Sequence, residues 1–249
     1  MKSKELRGNK PCYIACLNFA QFLGKNEASV KNMIPKKALI DLKTRFQEIN
    51  LTKTIPMDQS NITDIPTVYS KIQAKSKEIG FSMPSDLYIG SLLKTLISSR
   101  TNANILELGT GIGLSLAWMV DGLGKDGLLT TIDNNPELTD IAKDYFGTDP
   151  RLSVLCEDGE KWIKGYSGPQ FDLIFADSWP GKYSQIDEIL SMVKVGGFYI
   201  IDDMNQQENW PIGHAEKAES LVKYLEKRND FNLTKMNWST GVILMTKIK

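Results

Sequence analysis

At 249 residues the chain has the length for one large domain with an appendage, and its 41% hydrophobic and 24% charged content is that of a globular protein. No apolar run approaches the roughly 20 residues of a membrane-spanning helix, so a membrane partner is excluded and a cytoplasmic location is expected. Formal net charge is zero, yet residues 1–53 carry eleven Lys/Arg against four Asp/Glu. That basic arm fits a solvated helical surface better than an RNA-binding face.

Cys12, Cys16 and Cys156 are the three cysteines, and the chain has one histidine. That set fits a reducing compartment and gives no zinc site. Cys156 closes an apolar run and is expected to pack as a small hydrophobe. The early stretch Cys12-Tyr-Ile-Ala-Cys-Leu-Asn-Phe-Ala is short and broken by Asn18, and reads as core or loop rather than a leader.

In chain order, Lys37–Ile49 has amphipathic helical spacing, and the polar stretch Thr52–Pro66 reads as a linker. Residues 1–65 are therefore expected to form an N-terminal appendage, helical or partly disordered, and 66–249 the main domain. Val68–Ile79 and Leu87–Ser98 follow as helices, the second started by Pro84-Ser85-Asp86. Strands are then expected at Asn104–Leu108, Leu128–Ile132, Leu152–Cys156, Phe171–Ala176 and Phe198–Ile201. The helices that alternate with them are Leu114–Leu123, Pro136–Phe146, Glu160–Lys164 and Tyr183–Val193, with Ala215–Arg228 after the last strand. Apolar strands joined by crossover helices make a parallel sheet covered on both faces. Phe231–Asn237 and Val242–Ile248 have no room between them for a crossover, so they pair antiparallel. The fold class is α/β, doubly wound: a mainly parallel, Rossmann-like sheet of seven strands closed by a C-terminal antiparallel hairpin.

The turn Glu107-Leu-Gly109-Thr110-Gly111-Ile-Gly113 follows the first strand. Glycines there let backbone pass close to a ligand, but a G-x-G after a strand also marks nicotinamide and flavin sites. Two features favour S-adenosylmethionine: the G-x-G-x-G spacing, and the carboxylate of Glu107 beside a cofactor that carries a sulfonium and an amino group and no phosphate. Asp133 ends the second strand, where an acidic side chain takes a ribose diol. Asn134 or Asn135 can cap the next helix and leave Asp133 available. Asp158-Gly159 follows the third strand; the Asp either accepts from an adenine amino group or only starts a helix.

Asp177 follows the fourth strand and Asp202-Asp203 the fifth, all on the sheet edge where open α/β folds bind ligands. Three carboxylates converging there could hold Mg²⁺ or Ca²⁺; alternatively Asp202 and Asp203 hydrogen-bond backbone and cap a loop. His214, soon after the fifth strand, is either a general base or a packing residue. Trp179, Trp210 and Trp238 either wall a flat acceptor pocket or anchor loops.

From Met83 to Lys247 the chain resembles the catechol and caffeoyl-CoA O-methyltransferase group of class I methyltransferases, and more closely its uncharacterised bacterial relatives. The residues that carry this are Met83-Pro-Ser-Asp86, Glu107 to Ser115, Asp177-Ser-Trp-Pro-Gly-Lys-Tyr183, Gly196-Gly197 and Asp202-Asp203. The resemblance implies that Asp177, Asp202 and Asp203 bind a divalent metal and that Ser115 touches the cofactor's carboxylate. It also implies a catalytic lysine three residues after Asp177, where this chain has Pro180. Lys182 therefore substitutes, or a metal-bound alkoxide needs no base, or the base is another group such as His214.

The first functional expectation is methyl transfer to a hydroxyl of a small-molecule acceptor, with metal assistance left open. Transfer to an RNA nucleoside comes second, on the basic N-terminus and on bacterial relatives of the group that modify tRNA. A nicotinamide-dependent oxidoreductase is disfavoured by the glycine spacing and the hairpin. A non-catalytic cofactor-binding module is favoured only by Pro180. A homodimer is left open.

Overall fold

A computed structural model describes residues 61–207 and 210–249. The Lys37–Ile49 helix, Cys12, Cys16 and the basic arm lie outside those residues. The elements are α1 (Tyr69–Glu78), α2 (Leu87–Ile97), β1 (Asn104–Leu108), α3 (Leu114–Gly122), β2 (Leu128–Asp133), α4 (Pro136–Phe146) and β3 (Leu152–Cys156). There follow α5 (Gly159–Gly165), β4 (Phe171–Ala176), α6 (Ile186–Ser191), β5 (Val193–Ile201), α7 (His214–Leu225), β6 (Phe231–Met236) and β7 (Val242–Lys247).

They build one seven-stranded sheet in the order β3-β2-β1-β4-β5-β7-β6. β1 to β5 pair in parallel, and β7 runs antiparallel between β5 and β6. The doubly wound expectation is met. Strand parity sorts the core. Ile105, Leu173 and Phe175 pack with α1, α2, α3 and α4 on one face. Leu106, Leu108, Ile174 and Ala176 pack with Ile163 of α5, Ile189 of α6 and Leu221 of α7 on the other. Every residue of β4 is buried, as a central strand covered on both faces requires. α2 starts where the sequence places it: the Asp86 carboxylate accepts from the amides of Tyr88 and Ile89.

Three expectations are corrected. β5 begins at Val193, five residues before the expected Phe198. Its pairing with β4 slips between Phe171 and Leu173, around Gly196 at φ +77°, so a bulge lengthens the strand across a stretch that reads as a loop. The helix expected over Tyr183–Val193 shrinks to Ile186–Ser191, because the residues before it form a tight turn. Cys156 is exposed rather than packed, since β3 is an edge strand and Cys156 is its last residue.

The order of strands reverses direction between β1 and β4: the chain winds outward to β2 and β3 on one side, and to β5 on the other. That switch point leaves a crevice at the carboxyl ends of β1 and β4, where open α/β sheets bind ligands. No helix among the described residues is long and apolar enough to cross a membrane.

Candidate active site

The crevice is a cavity of about 590 Å³. Its cofactor end is made by the turns after β1 and β2, and its acceptor end by the segments after β4 and β5 with the approach to α2.

At the cofactor end the chain leaves β1 through Gly109, at φ +103°. A Cβ there would meet the Asp177 carbonyl oxygen at 2.6 Å, so only glycine lets the β1 and β4 ends run side by side. The Gly109 amide donates to the Ile132 carbonyl at 2.9 Å, tying this turn to β2. Asp133 then locks the loop. One carboxylate oxygen accepts from the Gly111 amide and the other from the Asn135 amide, both at 2.9 Å. Asn135 caps α4 by accepting from Glu137 and Leu138. Asp133 is therefore anchored rather than free, yet each oxygen keeps acceptor capacity and the residue lines the cavity with Asn134.

Glu107 has a different place from the one expected. It is fully buried and does not line the cavity. It shares the sheet face of Ile105, beneath α3, and each of its oxygens accepts a 2.5 Å hydrogen bond, one from Ser115 and one from Thr131. Thr131 also shares a 2.6 Å bond with Thr110. Burial drives the Glu107 carboxyl up to about 7; the Ser115 and Thr131 hydrogen bonds oppose this, and the Asp133 charge adds a little. Glu107 thus braces Thr110 and Ser115, which do line the cavity, rather than facing a ligand itself.

Two further assignments change. Gly113 does not line the cavity; it opens α3 at φ +93° against the Phe146 ring. Asp158 caps α5, accepting from the Lys161 amide at 2.9 Å, and also lies outside the lining. Its neighbours Glu157 and Gly159 line the cavity instead.

The acceptor end centres on Asp177. Its amide donates to the Leu108 carbonyl at 2.9 Å, and its carboxylate accepts from the Ser85 hydroxyl at 3.3 Å. Burial, then the charges of Asp202 and Asp203, hold this carboxyl well above the usual range, with Lys182 pulling partly the other way. Burial and the Asp203 charge also raise Asp202, to about 6. Asp202 accepts from the Thr240 hydroxyl and the Asp203 amide, both at 2.8 Å. That is the backbone-capping reading, built with a partner from the hairpin loop.

Pro180 occupies the slot of the expected lysine and lines the cavity. Lys182 does not line the cavity; the loop turns back on itself and buries it against the backbone of Asp202 and Asp203. Tyr183 donates its amide to the Trp179 carbonyl at 2.9 Å, and Gly181 donates to the Ser184 carbonyl at 2.8 Å. Gly181 takes φ +80°, and a Cβ would come within 2.5 Å of Leu108 Cδ1. The Gly181 carbonyl in turn accepts from the buried Tyr199 hydroxyl. This turn buries Lys182 to 5% exposure, where Nζ donates to the Asp202 carbonyl at 2.6 Å and the Asp203 carbonyl at 3.5 Å. Burial pulls the ammonium below the ordinary lysine range while the three carboxylates raise it.

A divalent-metal site is not shown. Among the described residues no three His, Cys, Asp or Glu side chains are grouped as a cation site needs. Asp202 accepts both the Thr240 hydroxyl and the Asp203 amide on one carboxylate oxygen, and the nearby Lys182 ammonium is held by the Asp202 and Asp203 carbonyls. His214 is also set back. It does not line the cavity, its Nε2 meets the Tyr183 hydroxyl at 3.1 Å, and its ring packs 4.3 Å from Trp210. Burial, then the Lys182 and Lys217 charges, lower its pKa. The packing reading of His214 prevails. Of the three tryptophans only Trp179 lines the cavity; Trp238 packs on Tyr88.

Sequence reasoning missed Ser85, Glu157, Gln207 and Thr240 among the lining residues. Only Ser85 had a signal, as part of the Met83-Pro-Ser-Asp86 string.

A family model described as O-methyltransferase matches residues 66–237. A protein of Mycobacterium sp. (strain JLS), provisionally named an O-methyltransferase, is 31% identical over 118 residues, covering 45% of this chain and 54% of the relative. The matched stretch thus spans about half the length of such curated relatives. Among solved structures, the O-methyltransferase TomG of Streptomyces achromogenes, involved in tomaymycin synthesis and in complex with S-adenosylmethionine, aligns with TM-score 0.67 at 20% identity, over 76% of this chain and 93% of that one. An O-methyltransferase of Bacillus cereus in complex with S-adenosylhomocysteine aligns with TM-score 0.65 at 18% identity, over 80% and 97%. At these identities the two structures share the fold with this chain.

Proposed function

The chain belongs to the O-methyltransferase family, and from that premise we propose that it transfers the methyl group of S-adenosylmethionine to a hydroxyl oxygen of a small-molecule acceptor. One observation carries the reading: a single cavity joins the Gly109–Asp133 loop system to the half-buried Asp177 carboxylate. The first suits a nucleoside with a cationic tail; the second is a proton acceptor set beside the place where an acceptor hydroxyl would lie.

The chemistry asks little covalent work of the protein. The acceptor oxygen attacks the methyl carbon in line with the C–S bond, and the bond pair leaves with sulfur to give S-adenosylhomocysteine. The hydroxyl proton passes to Asp177, whose raised pKa brings it toward the range where a carboxylate is an effective base at neutral pH. Asp133 and Asn134 hold the ribose, and Thr110, Gly111 and Ser115 bound the methionine end. Trp179 and Pro180 offer apolar surface to the acceptor and exclude water around the oxygen. The division into an appendage over residues 1–65 and a catalytic domain over 66–249 belongs to the same proposal. Methylation of RNA rests on residues 1–53, outside the described part, and on the resemblance to bacterial relatives that modify tRNA; nothing at the cavity favours it.

Calorimetry with S-adenosylhomocysteine, together with mass-spectrometric detection of methylated catechol or caffeic acid, tests this. The expected result is cofactor binding and a methylated product. Asp177→Asn should lower turnover by about 10²–10³-fold with cofactor affinity unchanged. Thermal stabilisation by NADH but not by S-adenosylhomocysteine would sink the reading.

A further inference from the structure

We propose that the acceptor is a cation: a hydroxyl compound with an apolar body and a protonated amine, whose charge is taken by the Asp202 and Asp203 carboxylates at the acceptor end. This names the substrate class of the methyl-transfer reading above and rests on it.

The charge of the cavity points this way. Its acidic lining residues are Asp133 and Glu157 toward the cofactor, and Asp86, Asp177, Asp202 and Asp203 toward the acceptor; among the described residues no Lys, Arg or His lines it. S-adenosylmethionine has a sulfonium, an ammonium and one carboxylate, so it brings an excess of one positive charge, and it brings that to the Asp133 end. At the acceptor end Asp86 is engaged in capping α2, and Asp177 is the proton acceptor. Asp202 and Asp203 remain without a counter-charge.

The opposite edge of the same sheet shows how this chain offsets a buried carboxylate away from the cavity. Asp172, 7% exposed near the start of β4, receives Arg100 at 2.6 Å and Lys194 at 2.7 Å. Asp202, 4% exposed after β5, has no such partner among the described residues. The Thr240 hydroxyl and the Asp203 amide both donate to its Oδ1, and Oδ2 accepts from none of these residues. Asp203 engages its backbone amide and carbonyl and leaves its carboxylate open among the same residues. Lys182 spends its Nζ on the two carbonyls, outside the lining. A buried carboxylate oxygen without a donor is costly, and an ammonium both donates to it and neutralises it. Trp179 and Pro180 line the same end and give the rest of the ligand an apolar wall. A phosphate or carboxylate on the acceptor would enter against the field of the whole cleft.

Three phenols of matched shape separate charge from fit: tyramine, 4-ethylphenol and 3-(4-hydroxyphenyl)propanoate. Each is titrated by calorimetry into the full chain saturated with S-adenosylhomocysteine, with EDTA present. Tyramine should bind about tenfold more tightly than 4-ethylphenol, and the propanoate about tenfold more weakly than 4-ethylphenol. Asp203→Asn and Asp202→Asn, each checked for folding by circular dichroism, should cut the preference for tyramine over 4-ethylphenol to about threefold or less. Should Asp202→Asn fail to fold, Asp203→Asn decides. Equal binding of amine and acid overturns the proposal, as does the absence of tyramine binding up to about 10 mM, far weaker than a working site. A preference that survives in the folded variants, or that needs added Mg²⁺, overturns it too. Tyramine that binds in this order but is not methylated when S-adenosylmethionine is supplied counts against the methyl-transfer reading alone. Failure of S-adenosylhomocysteine to bind also counts against that reading, and the free chain should then show the same order of affinities.

Discussion

The two ends of the cavity are built by different means. At the cofactor end, everything from Gly109 to Asn135 lies within one β-α-β unit, and the decisive contacts close inside that unit: the Gly111 and Asn135 amides on the Asp133 carboxylate, and the Gly109 amide on Ile132. At the acceptor end, Ser85, Asp177, Lys182, Asp202 and Thr240 come from four separate segments, and the Ser85–Asp177 and Thr240–Asp202 contacts join residues 92 and 38 apart. The first kind of site needs only the pairing of β1 with β2 inside one unit. The second exists only once the wider sheet and its terminal hairpin have formed.

The strongest way to break that comparison is at Glu107, which ties the cofactor end into the core. Its folded pKa lies near 7 against an ordinary 4.5. The folded chain therefore keeps a proton that the unfolded chain releases, and stability attributable to this residue falls as pH rises from about 4.5 to about 7, then levels off. The shift corresponds to something on the order of 3 kcal/mol. Glu107→Gln should remove that fall, so the stability difference between pH 5 and pH 8 in urea unfolding should shrink by a few kcal/mol relative to the wild type. Identical pH dependence in the two proteins would mean that Glu107 ionises in the fold at no cost. Asp202 shifts in the same direction, so only the difference between the proteins isolates Glu107.

At the acceptor end the equivalent brace is a backbone conformation. Gly181→Ala puts a side chain at φ +80° and against the buried tip of Leu108. Left-handed strain plus repacking should cost about 2 kcal/mol. The comparison predicts an asymmetry: the variant should bind S-adenosylhomocysteine as the wild type does, because the Gly109–Asp133 system is local, while its turnover falls as Lys182 and Asp177 shift. Equal damage to both would show that the ends are mechanically one.

Asp133 gives the mirror-image test. Asp133→Ala removes a charged acceptor from the Gly111 amide and from the ribose position, worth about 1.5 kcal/mol for a hydrogen bond to a charged group. Affinity for S-adenosylhomocysteine should fall about tenfold, read by calorimetry. An unchanged affinity would remove Asp133 from the cofactor.

How far the sequence could be read follows the same division. β1, β3 and β4 lie where apolar runs bounded by turn residues put them, and α4 starts at the Asn135-Pro136 cap. Asp133 and Gly109 are legible because strand end, turn and helix start fix their direction together. Glu107 is misread as facing ligand, although strand parity holds the correction: it shares a face with Ile105, and that face is covered by α3. The acceptor end resists because nothing local states that Thr240, in the hairpin loop, will donate to Asp202. The burial of Lys182 is hidden for the same kind of reason, since it depends on a Gly181 conformation packed against Leu108 and Tyr199.

Asp158 is the smallest and cleanest case, because its two readings separate by experiment. An adenine-binding Asp158 would lose cofactor affinity on truncation, and a helix cap would lose stability alone. The structure has its carboxylate on the Lys161 amide at 2.9 Å and outside the cavity lining, which Glu157 and Gly159 supply on either side of it. Asp158→Ala should therefore cost about 1 kcal/mol in urea unfolding, as the loss of an N-cap does, with S-adenosylhomocysteine affinity within twofold of the wild type. α5 is only seven residues long, so the uncapped helix would fray from its first turn and could drag Gly159 with it. Asp158→Asn, which keeps the cap, separates that indirect route from direct contact: restored stability with persistently weakened binding would return Asp158 to the cofactor.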